Sequence, residues 1–401
     1  MHALMAGVTV STAGPSVTNA LAGHPIFAWA TWWLQIMPLF FMLGGFSSIT
    51  QWRRMRAEGA TAADYIRLRV NRLARPAILP VALVVVTLAI LALSGVSAST
   101  LQQVGFWMGL PLWFLAVYIG CCAFIPVMTR LHERAPRTTL ATLLAAAVLV
   151  DVLSITLELP ALRALNFLFV WLFIQQIGFW MADGWFARRS RVALFAGLVL
   201  AYGLLFSLTN LGYSRDMYEN LNPPSICILV LGVGQAFLVS VLRPWLDRIA
   251  SQRVMSFANV INANSMTIYL WHVPVVVLIA AGMIWIKMAM PDPLSAAWWE
   301  SRPLFLVAVV VAMIPLVFLL ARWERMHAKF AQRSTPPVIA VCKVIFGVSG
   351  VAAILLLNNV LLLGWAIGLG LLLLAVWIGP PPVRLLQRLA ARIPSRQKIA
   401  A

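Results

Sequence analysis

Eleven apolar runs follow one another along the chain, at 25–50, 77–95, 107–129, 138–157, 163–182, 192–209, 224–242, 265–286, 303–321, 338–357 and 359–378. Each is close to the ~20 residues that carry a helix across a bilayer. In hydrocarbon a backbone amide finds no water, so such a run satisfies its own hydrogen bonds by coiling. The sequence predicts an all-α fold, a polytopic integral membrane helical bundle of ten to eleven transmembrane helices. Composition agrees: 62% of the residues are hydrophobic and only 10% charged, far from a soluble domain of this length.

The net charge of +18 raises nucleic acid as a partner. The basic residues, however, stand in short clusters between apolar runs, and membrane topology accounts for them. Membrane lipids are the expected surroundings, with no nucleic acid bound. If the first run crosses from outside to inside, the segments facing the cytoplasm hold 26 of the 30 Lys and Arg residues. Only Arg163, Arg215, Lys287 and Arg302 remain outside. This bias places the C-terminus in the cytoplasm of a multi-pass plasma-membrane protein. It also places the N-terminus outside, with no charged n-region and cleavage site ahead of it.

The chain then divides as residues 1–24, a polar-leaning loop outside the membrane or the remnant of a further helix; 25–290, a membrane core; 291–380, additional helices; and 381–401, a basic cytoplasmic tail. One stretch, 61–76, has a more soluble character. Ile66, Val70, Leu73 and Ala77 recur on one helical stripe, while Arg69, Arg72 and Arg75 step around the other side. The pattern predicts a helix lying on the membrane surface, ended or restarted at Pro76. Guanidinium forks in a row suit phosphate oxygens; basic residues also flank membrane helices by default.

Ionisable groups inside hydrocarbon are costly and tend to be functional. His272 lies about seven residues into its run, in Ser-Met-Thr-Ile-Tyr-Leu-Trp-His-Val-Pro. A neutral imidazole there can take a proton from a hydroxyl, or serve as a hydrogen-bonded packing residue. Asp151 has no charged neighbour in sequence and calls for an Arg or His from another helix. His272 and Asp151 are the catalytic candidates. Asn166, Gln175 and Gln176 read as interhelical glue, and Trp113 and Tyr118 as cavity lining or aromatic packing. The segment 210–224, with Tyr213, Arg215 and Asp216, has the polar and aromatic mixture that contacts sugars or head groups. Trp298 and Trp299 read as an interfacial belt. Cys121, Cys122, Cys227 and Cys342 have neither zinc spacing nor C-x-x-C, so reduced thiols and no metal are expected.

Taken together, Arg69-x-x-Arg72-x-x-Arg75-Pro76 after Pro-Leu-Phe-Phe-Met-Leu-Gly-Gly-Phe (38–46), Leu-Trp-Phe-Leu-Ala-Val-Tyr (112–118) and Thr-Ile-Tyr-Leu-Trp-His-Val-Pro (267–274) resemble the acyltransferase 3 family of membrane O-acyltransferases. Met-Pro-Leu-Phe-Phe and the Asn-Pro-Pro at 222–224 are similar to an actinobacterial branch. The resemblance implies transfer of an acyl group from cytoplasmic acyl-CoA to a hydroxyl of an extracytoplasmic glycan, lipid or small molecule. It implies that Arg69 and Arg72 bind the CoA phosphates, and Arg75 completes the row as a third cofactor-binding candidate; Trp113, Tyr118, Tyr269 and Tyr213 are the candidates for contact with substrate. His272 matches the family's later His motif, a positioning or structural place. The family's catalytic His sits on an earlier helix running inside to outside, which the topology count also calls for ahead of Met1. His2 is at most its trailing edge, and neither His2 nor His24 takes the catalytic role. A transporter or flippase, an inactive relative, and a scaffold without chemistry are the competing readings.

Overall fold

The computed structural model describes residues 5–11, 14–288, 291–326 and 334–379. Their order is β1 (Ala6–Ser11), β2 (Gly14–Asn19), α1 (Pro25–Leu34), α2 (Met37–Ala57), α3 (Ala62–Leu93), α4 (Ala98–Gly109), α5 (Trp113–Arg134), α6 (Pro136–Thr156), α7 (Asn166–Ala182), α8 (Arg191–Asn210), α9 (Ile226–Ile249), α10 (Gln252–Ala263), α11 (Ser265–Trp285), α12 (Ala296–Met326), α13 (Pro337–Leu356) and α14 (Leu361–Trp377), with 3-10 turns at Leu110–Leu112, Pro160–Leu165 and Asn358–Val360. Among the described residues eleven segments are long and apolar enough to cross a membrane. They coincide with the eleven runs read from sequence, α1–α2 and α4–α5 each making one span, so the fold is a polytopic helical bundle.

The helices start where the sequence supplies caps. Ser190, Ser225 and Ser251 accept from the first backbone amides of α8, α9 and α10. At α3, Thr61 and Asp64 form a reciprocal capping box. Gly59, at φ +85°, turns the chain between α2 and α3 where another residue would be strained.

Two readings need correction here. The stretch 61–76 is not a separate surface helix: α3 runs unbroken through Pro76 and Pro80, both inside it. The prolines remove two backbone donors, but α3 is gripped by α5, α13 and α14 along its length, and packing outweighs the lost bonds. The N-terminal segment is not simply a loop either. Its strands pair antiparallel, with Val8 opposite Val17, and Met5 and Leu21 bury against Phe27 and Trp298. Trp298 is therefore core, not interfacial belt, while Trp299 stays exposed.

The centre of the bundle is the contact of α2 with α7, joined by α5 and α9. A Cβ on Gly45 would overlap the Gln175 carbonyl, and one on Gly178 the Met42 carbonyl. Small residues let these two backbones close up, the usual route to packing between membrane helices. Gln175 and Gln176 donate to the carbonyls of Cys121 and Met128, tying α7 to α5. The glue role expected of Gln175, Gln176 and Asn166 is what they perform.

Candidate functional site

The residues singled out by sequence fall into two places. The first is a line through the bundle interior. Arg69, on the buried face of α3 with Tyr65 and Leu73, is only 7% exposed. Its Nη2 donates to Ser48 Oγ at 2.7 Å and its Nη1 to Gln51 Oε1 at 3.2 Å, while Nε has no partner among the described residues. Tyr65, Cys122 and Tyr118 surround it. Tyr118 stacks on Phe114 at 5.2 Å, Phe114 meets Tyr269 edge-on at 4.9 Å, and Tyr269 lies 5.8 Å from the His272 ring. Trp113 joins from the side, against Phe114 and Trp171. Thus Arg69, Tyr118, Trp113, Tyr269 and His272, distant in sequence, form one aromatic column.

Within that column the Tyr269 hydroxyl donates to the Pro111 carbonyl. His272 Nδ1 meets the Tyr269 carbonyl. A carbonyl only accepts, so Nδ1 carries the proton and a neutral ring has its lone pair on Nε2. The Arg row itself is split. Arg72 is exposed and Arg75 half-buried, because residues three apart rotate about 60° around a helix and 69 and 75 end on different faces.

The second place is at the opposite end of the bundle. Asp151, 1% exposed, accepts from Asn166 Nδ2 (2.9 Å), the Tyr213 hydroxyl (3.1 Å) and the Ile226 amide (2.8 Å), with Arg163 Nε 3.5 Å away. The charged partner expected for it is Arg163. Its contacts tie α6, α7, the 211–225 segment and the start of α9 together; His272 is not among them. The segment's other polar groups are likewise turned inward: Asn220 donates to the Ser214 and Asp216 carbonyls, and the Met217 amide donates to Thr31. Burial raises the Tyr213 hydroxyl, and the Asp151 charge adds to it. Burial likewise raises the Asp216 carboxyl and pushes the Tyr218 hydroxyl up to about 12.

A third assembly, at the arginine-rich end, went unseen in the sequence because its members come from three helices. Arg53 bridges Glu133 and Asp183. Arg56 grips Glu133 through two bonds of 2.9 and 3.0 Å. His132, 3% exposed, sets Nε2 3.1 Å from Asp183 Oδ2, and its Nδ1 has no partner among the described residues. Burial raises the Asp183 carboxyl, but the bonds and charges of Arg53 and His132 outweigh this and hold it below its ordinary value. These side chains, with Trp180, Trp185 and Arg188, wall a cleft of about 390 Å³. A larger cavity, about 530 Å³, between α10 and α12 contains none of the sequence candidates.

A family model described as an acyltransferase domain matches residues 1–322. The chain belongs to the acyltransferase 3 family. No curated protein and no solved structure matches it. As an acyltransferase 3 protein it carries the family region from the ribbon through most of α12, and α13 and α14 lie beyond the match. Those two helices nevertheless press on α3, the helix of Arg69. Among the described residues no three His, Cys, Asp or Glu side chains gather as a metal site.

Proposed function

We propose that this acyltransferase 3 protein is an O-acyltransferase that takes the acyl group of acyl-CoA at its arginine-rich end and passes it to a hydroxyl of a glycan, lipid or small molecule reached from the opposite side. The observation that carries the reading is Arg69: a guanidinium inside the bundle with an unpartnered Nε, at the foot of a column of aromatic rings that leads to His272. A buried cation lacking part of its hydrogen bonding is poorly explained as packing and well explained as a grip on a polar ligand. The split of the Arg row supports different tasks for its members. Exposed Arg72 and half-buried Arg75 meet the donor's phosphates, while Arg69 holds polar atoms of the arm that enters the bundle.

In the reaction the acceptor oxygen bonds to the thioester carbonyl carbon and the carbon–sulfur bond breaks. The hydroxyl proton passes to a base and from there to the departing thiolate. His272 has the tautomer for that base, its Nδ1 proton held by the Tyr269 carbonyl. Asp151 takes no part, since its oxygens already serve three donors and Arg163 at the other end.

The test is Arg69→Ala beside Arg69→Lys in the purified chain in lipid nanodiscs. Acyl-CoA affinity should fall about tenfold or more in the Ala variant, the worth of one charge-assisted hydrogen bond. Lys, a point charge without the fork, should restore only part of it. Unchanged affinity in both variants would remove the donor site from the bundle interior.

A further inference from the structure

We propose that the cleft between Trp180, Trp185, His132 and Arg188 seats the purine nucleotide end of the thioester donor; the proposal rests on the acyl-CoA reading above. Three observations point to it. The first is His132. Its ring is 3% exposed and forms part of the cleft wall, Nε2 lies 3.1 Å from Asp183 Oδ2, and Nδ1 is buried with no partner among the described residues. A buried ring nitrogen left unpaired calls for a ligand or water atom. A purine edge carries both donors and acceptors, so it can meet Nδ1 whether that nitrogen accepts or donates.

The second is the distribution of charge. Glu133 and Asp183 occupy the guanidinium groups of Arg53 and Arg56, so the floor of the cleft is close to neutral. At its rim Arg188 is exposed and makes no ion pair among the described residues, with Arg189 beside it, 4.3 Å over the Trp185 ring. Neutral within and cationic at the rim is the polarity of a nucleotide, whose base is uncharged and whose phosphates are anionic. The third is the wall. Trp180 and Trp185 meet edge-to-face at 5.7 Å and offer indole surface on which a purine stacks. The volume, about 390 Å³, falls in the ~300–1,000 Å³ range of small-molecule sites.

Placement supports the same donor. Arg53 on the cleft wall follows Gln51, the Arg69 partner, by two residues on α2, about 3 Å along the helix axis. The cleft and the Gln51–Arg69 pair therefore lie at the same level along α2, on different faces of it.

The experiment is calorimetric titration of the full chain in nanodiscs with CoA, 4′-phosphopantetheine and ADP, for wild type, Arg188→Ala, His132→Asn and Arg69→Ala. Arg188→Ala should weaken CoA about tenfold and His132→Asn about fivefold, the values of a charged and a neutral hydrogen bond. Phosphopantetheine, lacking the purine, should bind all but the Arg69 variant alike, and ADP should compete with CoA. Arg188 is exposed, so its variant carries the test if His132→Asn does not fold. CoA binding weakened by Arg69→Ala but untouched by Arg188→Ala would overturn the subsite and leave the donor reading standing. Wild type that binds ADP but not CoA would overturn the donor reading and, with it, this assignment. ADP binding without competition would make the cleft a separate nucleotide site and equally overturn the proposal.

Discussion

Asp151 shows how an isolated intramembrane carboxylate can be structural. A carboxylate only accepts, and each of its oxygens receives at least one donor: Asn166 on Oδ1, Tyr213 and the Ile226 amide on Oδ2. Asp151→Asn replaces one acceptor with an amide that must face a donor. We expect a loss of about 1–3 kcal/mol, read as a lower unfolding temperature in detergent; an unchanged melting curve would mean that the segment is anchored elsewhere. The sequence made Asp151 conspicuous but gave no hint of its role, since its partners lie 12 to 75 residues away. His132 is the converse case: nothing in its sequence neighbourhood singles it out, and only the packing of α7 against α5 brings Asp183 to it.

At the scale of elements, the apolar runs were legible because hydrophobic length is a one-dimensional property. What the helices do to one another was not. On the α3 stripe Val70, Leu73 and Ala77 bury as the periodicity predicts and Ile66 is half-buried, yet Tyr65 and Arg69 bury beside them. Reading three arginines as one exposed row ignored the rotation between them. Pro76 signalled a break that neighbouring helices override. The pair α2 and α7 offers the clearest test at this scale. Gly178→Ala sets a methyl group against the Met42 carbonyl and the Phe46 amide, both backbone atoms that no rotamer change can move. A cost of about 3 kcal/mol or more is expected, with loss of monodisperse protein in size-exclusion chromatography. A well-behaved Gly178→Ala variant would show that the two helices are not locked together.

At the scale of the whole molecule, the matched family region does not stand alone. Lys343, 1% exposed, sits within α13. Its ammonium donates to Asn71 on α3 at 3.0 Å and to the Ala375 and Val376 carbonyls at 2.8 and 3.0 Å. Those carbonyls belong to the last turn of α14, where backbone acceptors lack helical partners. One side chain thus fastens both helices beyond residue 322 to the helix that carries Arg69. Lys343→Met keeps the length and strands three acceptors; we expect about 1–3 kcal/mol of destabilisation, measured by thermal unfolding in nanodiscs. An unaltered transition would show that α13 and α14 are held by apolar packing alone.

The burial of Arg69 inside a membrane span has an electrical consequence. Any anionic group drawn in from the arginine-rich end to meet that cation travels part of the way through the field across the membrane. A full crossing is worth about 2.3 kcal/mol per charge at 100 mV, and Arg69 lies seven residues into a 32-residue helix. An uncharged arm reaching Arg69 would feel none of this, whereas an anion bound there would hold more or less tightly as the membrane is polarised or de-energised, so the voltage dependence of binding reports which part of a ligand reaches the cation.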